Sequence, residues 1–181
     1  MAEDILSGEI LEEIEREDEK LRVLGYISKF QRTFVLCPLF LGKVDDLPDL
    51  EWNTVDYDSG LFELPDEQGV YAFSITAKNS MNLPNNSYIL YIGKAGDLDS
   101  DNTIRKRYRN YVTDSGLKDR HKIRAMVKLF GGHLKYHYSI TPDGISTGIV
   151  EKQLTKVFIP PFNVADFDTD LKGLLKGVGI L

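Results

Sequence analysis

A chain of 181 residues with 42% hydrophobic and 28% charged residues has the size and balance of one globular domain with an appended arm. No run approaches the roughly 20 apolar residues needed to span a bilayer, and the acidic N-terminus lacks the character of a signal peptide, so no membrane role is expected. The lone Cys37 excludes an internal disulfide and a cysteine-based zinc site, which suits a reducing, cytoplasmic setting. The net charge of −6 is unevenly spread. Residues 3–20 hold nine acids and two bases, and residues 44–68 hold nine acids and no base. Residues 104–135 hold ten Lys or Arg against two acids, a local excess that matters more to a polyanionic partner than the total does.

In chain order, residues 4–21 read as an amphipathic helix, with Ile5, Leu6, Ile10, Leu11, Ile14 and Leu21 on one side and acids on the other. Its simplest role is to dock on the domain. A homodimer or a partner protein held through this helix is compatible with the same pattern. From Arg22 to Phe40 two strand-like runs, LRVLGYISKF and TFVLCPLF, suggest a strand pair, with Cys37 as a small buried hydrophobe. The acidic stretch from Leu41 to Gly60 reads as irregular, with Trp52 anchoring it by packing. Residues 1–62 thus form an N-terminal extension.

GVYAFSIT from Gly69 and YILYIGKA from Tyr88 read as an antiparallel strand pair joined by the turn-rich AKNSMNLPNNS. Each carries a tyrosine near a strand glycine, the mark of a bend or a close backbone approach. Alone, Tyr71 and Tyr91 are ordinary sheet aromatics. A helix then runs from Ile104 to about Val112, capped by Asn102 or Thr103. Its apolar stripe is Ile104, Tyr108, Tyr111 and Val112, with Arg107 at the stripe's edge one turn before Tyr111. Gly116 breaks it, and a second helix covers about Lys118–Phe130 with Ile123, Met126, Val127 and Phe130 inside. HLKYHYSIT reads as a half-buried strand with Leu134, Tyr136, Tyr138 and Ile140 inward. A third helix spans about Ser146–Phe158 and stops at Pro160-Pro161, with Glu151 at the rim of its Val150, Leu154, Val157, Phe158 stripe. The expected fold is α/β of the α+β kind: a small three-stranded antiparallel sheet flanked by helices over residues 63–168, with 169–181 as a tail.

Gly69-Val70-Tyr71, Tyr91-Ile92-Gly93-Lys94, Arg107, Tyr111, Glu151 and Asn163 after Pro160-Pro161, in this order, resemble the GIY-YIG nuclease superfamily over about residues 69–165. Two loops, between the triplets and from Gly96 to Thr103, are longer than in compact members. The resemblance implies a DNA endonuclease that hydrolyses phosphodiester bonds with one divalent cation, Mg²⁺ or alternatively Mn²⁺, held by Glu151. It implies Tyr71 as general base, supported by Tyr91, with Arg107 rather than Arg105 stabilising the phosphate charge. Tyr111 would bond the phosphate or the base, and Asn163 would fix the glutamate and the chain after the prolines. A phenol with a pKa near 10 is a poor base at neutral pH, so nearby cations, Lys94 and the metal, are expected to favour its ionised form. Arg105, Lys106, Arg109, Lys122, Arg124 and Lys128 are expected to contact the backbone of double-stranded DNA without reading sequence. His121, His133 and His137 share no metal-ligand spacing and read as structural or DNA-proximal. A restriction, phage-encoded or anti-phage defence enzyme fits such a compact nuclease. The alternative is a non-catalytic nucleic-acid-binding or protein-interaction module on the same fold.

Overall fold

The computed structural model describes residues 8–43, 47–57, 63–77, 86–97, 100–164 and 166–181. The start of the first helix, the Asp58-Ser59-Gly60 turn and most of the turn after Ala77 therefore lie outside the described residues. Residues 1–32 and 33–181 form two compact units.

In the first unit, α1 runs from Gly8 to Phe30. The strand expected from Arg22 is thus helix. A helix propagates easily once nucleated, and nothing from Arg22 to Phe30 stops it: there is no proline, and its β-branched residues are few. Its end is closed by charge, since Arg32 donates from Nη1 to the Lys29 carbonyl at 2.9 Å. The second expected strand is absent too. Residues 31–37 carry no regular structure, and Pro38 opens the short helix α2, Pro38–Leu41. Cys37 is only half-buried.

The second unit is a mixed α+β structure around an antiparallel sheet. Its strands are β1 (Asn53–Asp56), β2 (Gly69–Ala77), β3 (Asn86–Ala95) and β4 (Leu134–Ile140), in the order β1-β4-β2-β3. Four strands stand where three were expected. The extra one, β1, hides in NTVD, four mostly polar residues that lack a hydrophobic pattern and suit a short, charged edge. Thr54 reaches His137 Nδ1 at 2.7 Å, and Asp56 pairs with Lys135 on β4.

The helices are α3 (Ile104–Val112), α4 (Asp114–Leu117), α5 (His121–Phe130), α6 (Thr147–Phe158) and α7 (Thr169–Gly177). Thr103 caps α3 by accepting from the Lys106 N–H, and Ser146 caps α6 through the Ile149 N–H. Gly116 lies inside α4, and the helix expected from Lys118 begins at His121. Val112 is 45% exposed where α3 gives way to α4, and Ile140 is 47% exposed at the end of β4, so neither joins its predicted stripe. The stretch read as a tail carries α7, capped by Asp168, whose two glycines and short span obscure its period. Leu171 and Leu175 pack with Ile159, Phe167, Val35 and Phe40.

Central strand β2 is buried on both faces. Val70 and Ala72 pack with Ile92, Val150 and Leu154, which seats α6 on one face. Tyr71 and Phe73 meet Tyr57, Tyr111 and Tyr136 on the other, and the Tyr108 ring packs at a tilt 4.8 Å from that of Tyr136, which seats α3 there. Gly69 opens β2 where a Cβ would collide with the Ser139 carbonyl and lie 2.8 Å from Ile104 Cδ1. Gly69→Ala is expected to cost about 1–3 kcal/mol as an overpacking substitution, read as a lower urea midpoint at unchanged slope.

Candidate active site

β2 brings Tyr71 opposite Gly93 of β3, and Phe73 opposite Tyr91. A residue opposite another shares its face of the sheet, so the two tyrosines lie on the α3 side. Gly93 permits this packing: a Cβ there would sit 2.5 Å from Tyr71 Cζ. α3 contributes Arg107 and Tyr111, one turn apart. α6 contributes Glu151. A cavity of about 590 Å³ is lined by Tyr71, Tyr91, Lys94, Arg107 and Glu151, with Arg120, Lys122 and Asp166 on its wall. Five of the seven predicted site residues therefore border one space.

The other two support it. Tyr111 is fully buried, and its hydroxyl lies 2.5 Å from that of Tyr71. Asn163, also buried, accepts from the Ile92 N–H at 2.8 Å and donates to the Ile92 carbonyl at 2.7 Å. Its Nδ2 is also 3.3 Å from Asp166. Among the described residues its hydrogen bonds thus go to β3 and Asp166 rather than to Glu151.

Arg107 donates from Nε to the Lys94 carbonyl at 3.2 Å, which aims the guanidinium into the cavity. Arg105 turns away: its Nε donates to the Leu64 carbonyl at 2.7 Å and its head lies 4.0 Å from Asp66. Lys94 is held by Asp97 at 2.7 Å, and Asp97 accepts from Ser146, the cap of α6, at 2.9 Å. Lys106 donates to the Asp101 carbonyl at 2.8 Å, while Arg109, Arg124 and Lys128 are exposed. His121 borders the cavity, His133 is exposed, and His137 bonds Ser74 on the opposite face.

Sequence reasoning missed Arg120. In the run KDRHK it falls within the helix expected from Lys118, and the pattern assigns it no role. The turn at residues 118–120 instead leaves Arg120 outside α5 and directs it inward, where Nη1 donates to the Tyr111 hydroxyl at 3.1 Å. Asp166 and Asp97 were missed as well, since an acid in a loop carries no periodic signal.

Burial dominates the electrostatics. It pushes the Tyr71 phenol well above its usual range, helped by Tyr111 and Tyr91 and opposed by Arg107. It also raises Tyr91 and Tyr111. The Glu151 carboxyl is raised first by burial, with Lys94 and Arg107 pulling it back and Asp166 and Asp97 adding to the rise. The half-buried Glu151 carboxylate, with Asp166 nearby, offers oxygen donors of the kind Mg²⁺ takes, with water and substrate oxygens completing its shell. Among the described residues no group of three or more His, Cys, Asp or Glu gathers as a metal cage. Glu151 and Asp166 are the residues that would hold a hard cation in this cavity.

A second cavity of about 560 Å³ lies on the α6 face, lined by Leu47, Leu50, Trp52, Ile89, His137 and Phe158 among others. Trp52 is 41% exposed at its wall, so it does not bury itself as an anchor. The two cavities are alike in size, and of the two only the first gathers several charged side chains. Among the described residues no helix is long and apolar enough to cross a membrane. Comparison with protein-family models, with curated proteins and with solved structures gives no match.

The raised Glu151 pKa has a consequence for stability. The folded state prefers the neutral acid, so there is no penalty below the ordinary glutamate range, and the full penalty applies above the raised value. In EDTA, Glu151→Gln is expected to raise the melting temperature at pH 7, with the gain vanishing below about pH 4.

Proposed function

We propose that the chain is a metal-dependent DNA endonuclease of the GIY-YIG type. The observation that carries this reading is the convergence of Tyr71, Tyr91, Lys94, Arg107 and Glu151, from two strands and two helices, on one charged cavity. Residues separated by up to 80 positions in the chain here pool a carboxylate, two cations and two phenols, and packing alone gives no reason to gather the charged ones. Cleaving a phosphodiester requires that set: a proton acceptor for the attacking water, positive charge for the phosphate, and help for the leaving oxygen.

Glu151 would hold the cation, Mg²⁺ or Mn²⁺, which when bound neutralises phosphate charge and lowers the barrier to expelling the leaving oxygen. Arg107, fixed by the Lys94 carbonyl, presents a fork of donors to the non-bridging oxygens, where negative charge grows. Lys94, anchored by Asp97, adds a second positive charge beside Glu151. Tyr71 accepts the proton of the attacking water, supported by Tyr91 beside it on the same face of the sheet. Lys122, Arg124, Lys128, Arg109 and Lys106 would meet the backbone of double-stranded DNA around the mouth, while Arg105 serves chiefly to hold residues 64–66. Such contacts position a duplex without reading its sequence.

Purified protein with supercoiled plasmid and Mg²⁺ or Mn²⁺ should give nicked circles. Glu151→Gln, Tyr71→Phe and Arg107→Ala should each lose about 100-fold or more of the rate. If the metal and Glu151 prove irrelevant to plasmid integrity while DNA still binds, the protein is a non-catalytic binding module instead. The pH profile offers a separate check. Tyr71 must be ionised to act and its phenol is pushed above 10, so kcat should climb about tenfold per pH unit through the measurable alkaline range.

A further inference from the structure

The Tyr111 hydroxyl has three partners in the fold: the hydroxyl of Tyr71 at 2.5 Å, the Arg120 guanidinium at 3.1 Å and the hydroxyl of Tyr91. A neutral phenol has one proton to give and two lone pairs to offer, whereas a phenolate only accepts. Arg120 can only donate, so at least one lone pair of Tyr111 is spoken for. Arg120 also lies over the Tyr111 ring, 5.5 Å from its centroid, so one cation reaches both the oxygen and the π-face. Tyr71 borders the cavity while Tyr111 sits behind it, fully buried.

We propose that the proton acceptor is the hydrogen-bonded pair Tyr71–Tyr111, which gives up one of its two protons and spreads the resulting charge over both oxygens, with Arg120 as the cation that balances that charge. Arg120 is a positioning residue: it acts through Tyr111 and does not touch the reacting atoms. The chemistry rests on the nuclease reading above, whereas the pair and its cation are features of the fold. In the step, the O–H bond of the water breaks as its oxygen bonds to phosphorus. That proton passes to Tyr71 Oη, and the proton already on Tyr71 moves to Tyr111 Oη. The bond from phosphorus to the leaving oxygen breaks, and that oxygen takes a proton from solvent. The pair is restored when one proton leaves through Tyr71 to water in the cavity. Splitting the charge over two oxygens answers the burial that holds Tyr71 neutral when it acts alone.

The groups facing Tyr111 define what a test must separate. They are Tyr71 from β2, Tyr91 from β3, Arg107 from its own helix, Arg120 before α5, and Tyr136 from β4. Proton NMR of the metal-free protein should show a hydroxyl resonance from the Tyr71–Tyr111 hydrogen bond that moves to lower field as the pH is raised. It should vanish in both Tyr71→Phe and Tyr111→Phe, move upfield in Arg120→Gln and persist in Arg120→Lys. In the plasmid assay Arg120→Gln should lower kcat at pH 8 by about tenfold and displace the alkaline rise upward by roughly one pH unit, with KM for DNA almost unchanged and Arg120→Lys largely restoring both. The absence of the resonance, or its indifference to Arg120→Gln, overturns the pair. A rise in KM with an unmoved pH profile also overturns it, making Arg120 a DNA contact. If the resonance behaves as expected while the wild type cuts nothing, the nuclease reading fails and the proton-sharing pair stands.

Discussion

The outer edge of β3 is the constraint on which the site is built. As the last strand in the order β1-β4-β2-β3, it pairs on one side only, so its far carbonyls must find partners elsewhere. Three of them do so in succession. The Leu90 carbonyl accepts from the Phe162 N–H at 3.0 Å, that of Ile92 from Asn163, and that of Lys94 from Arg107. Each bond does two things at once: it satisfies a backbone acceptor at an edge and fixes an element of the cavity wall. The register shift opposite Phe73 and Ser74 places the extra residue at Leu90, where a bulge re-aims the strand toward the chain after Pro161. The cavity thus sits where helices from opposite faces reach around the same edge, α3 with Arg107 and α6 with Glu151.

Within that frame, the height of Tyr71 above the sheet is set by Gly93. Any side chain there would displace the phenol, and the phenol is the link between cavity and interior, since its hydroxyl meets Tyr111. Tyr111 is in turn pinned from behind, because Tyr57 donates to its backbone carbonyl and Tyr108 donates to the Tyr57 carbonyl at 2.7 Å. The aromatic packing that buries β2 is therefore the same packing that aligns the phenols. An aromatic cluster and a proton route are not competing descriptions of these residues.

How much of this was legible follows from which residues carry a pattern. Gly69, Tyr71, Tyr91, Gly93, Arg107 and Glu151 could be placed because each lies in a segment with a clear period, and a period fixes a face. Tyr108 and Tyr111 announced the core side of α3, which put Arg107 at its margin, and the cavity lies there. What carried no period was not legible. β1 is four polar residues, α7 is interrupted by glycines, and Arg22–Phe30 has the composition of a strand but continues a helix that had already begun. Arg120 is the instructive failure. Its direction depends on a three-residue turn between α4 and α5, and the pattern of LKDRHKIRAMV reads more simply as uninterrupted helix.

Charge and burial pull in opposite directions around the cavity, and the balance explains why a built site would need a ligand to become reactive. Burial is the largest influence raising Tyr71, Tyr91, Tyr111 and Glu151, so each holds its proton more firmly than the free group does. Lys94 and Arg107 oppose this at Glu151, and Arg120 and Arg107 oppose it at Tyr111, yet in each case desolvation remains the larger influence. A stable fold gains from that arrangement, because neutral groups are cheaper to bury. Reactivity then depends on added positive charge near Glu151, which favours the carboxylate and makes loss of a proton from the phenols less costly. On the proposed nuclease reading, a site with this bias would stay closed to proton chemistry until cation and phosphate arrive together.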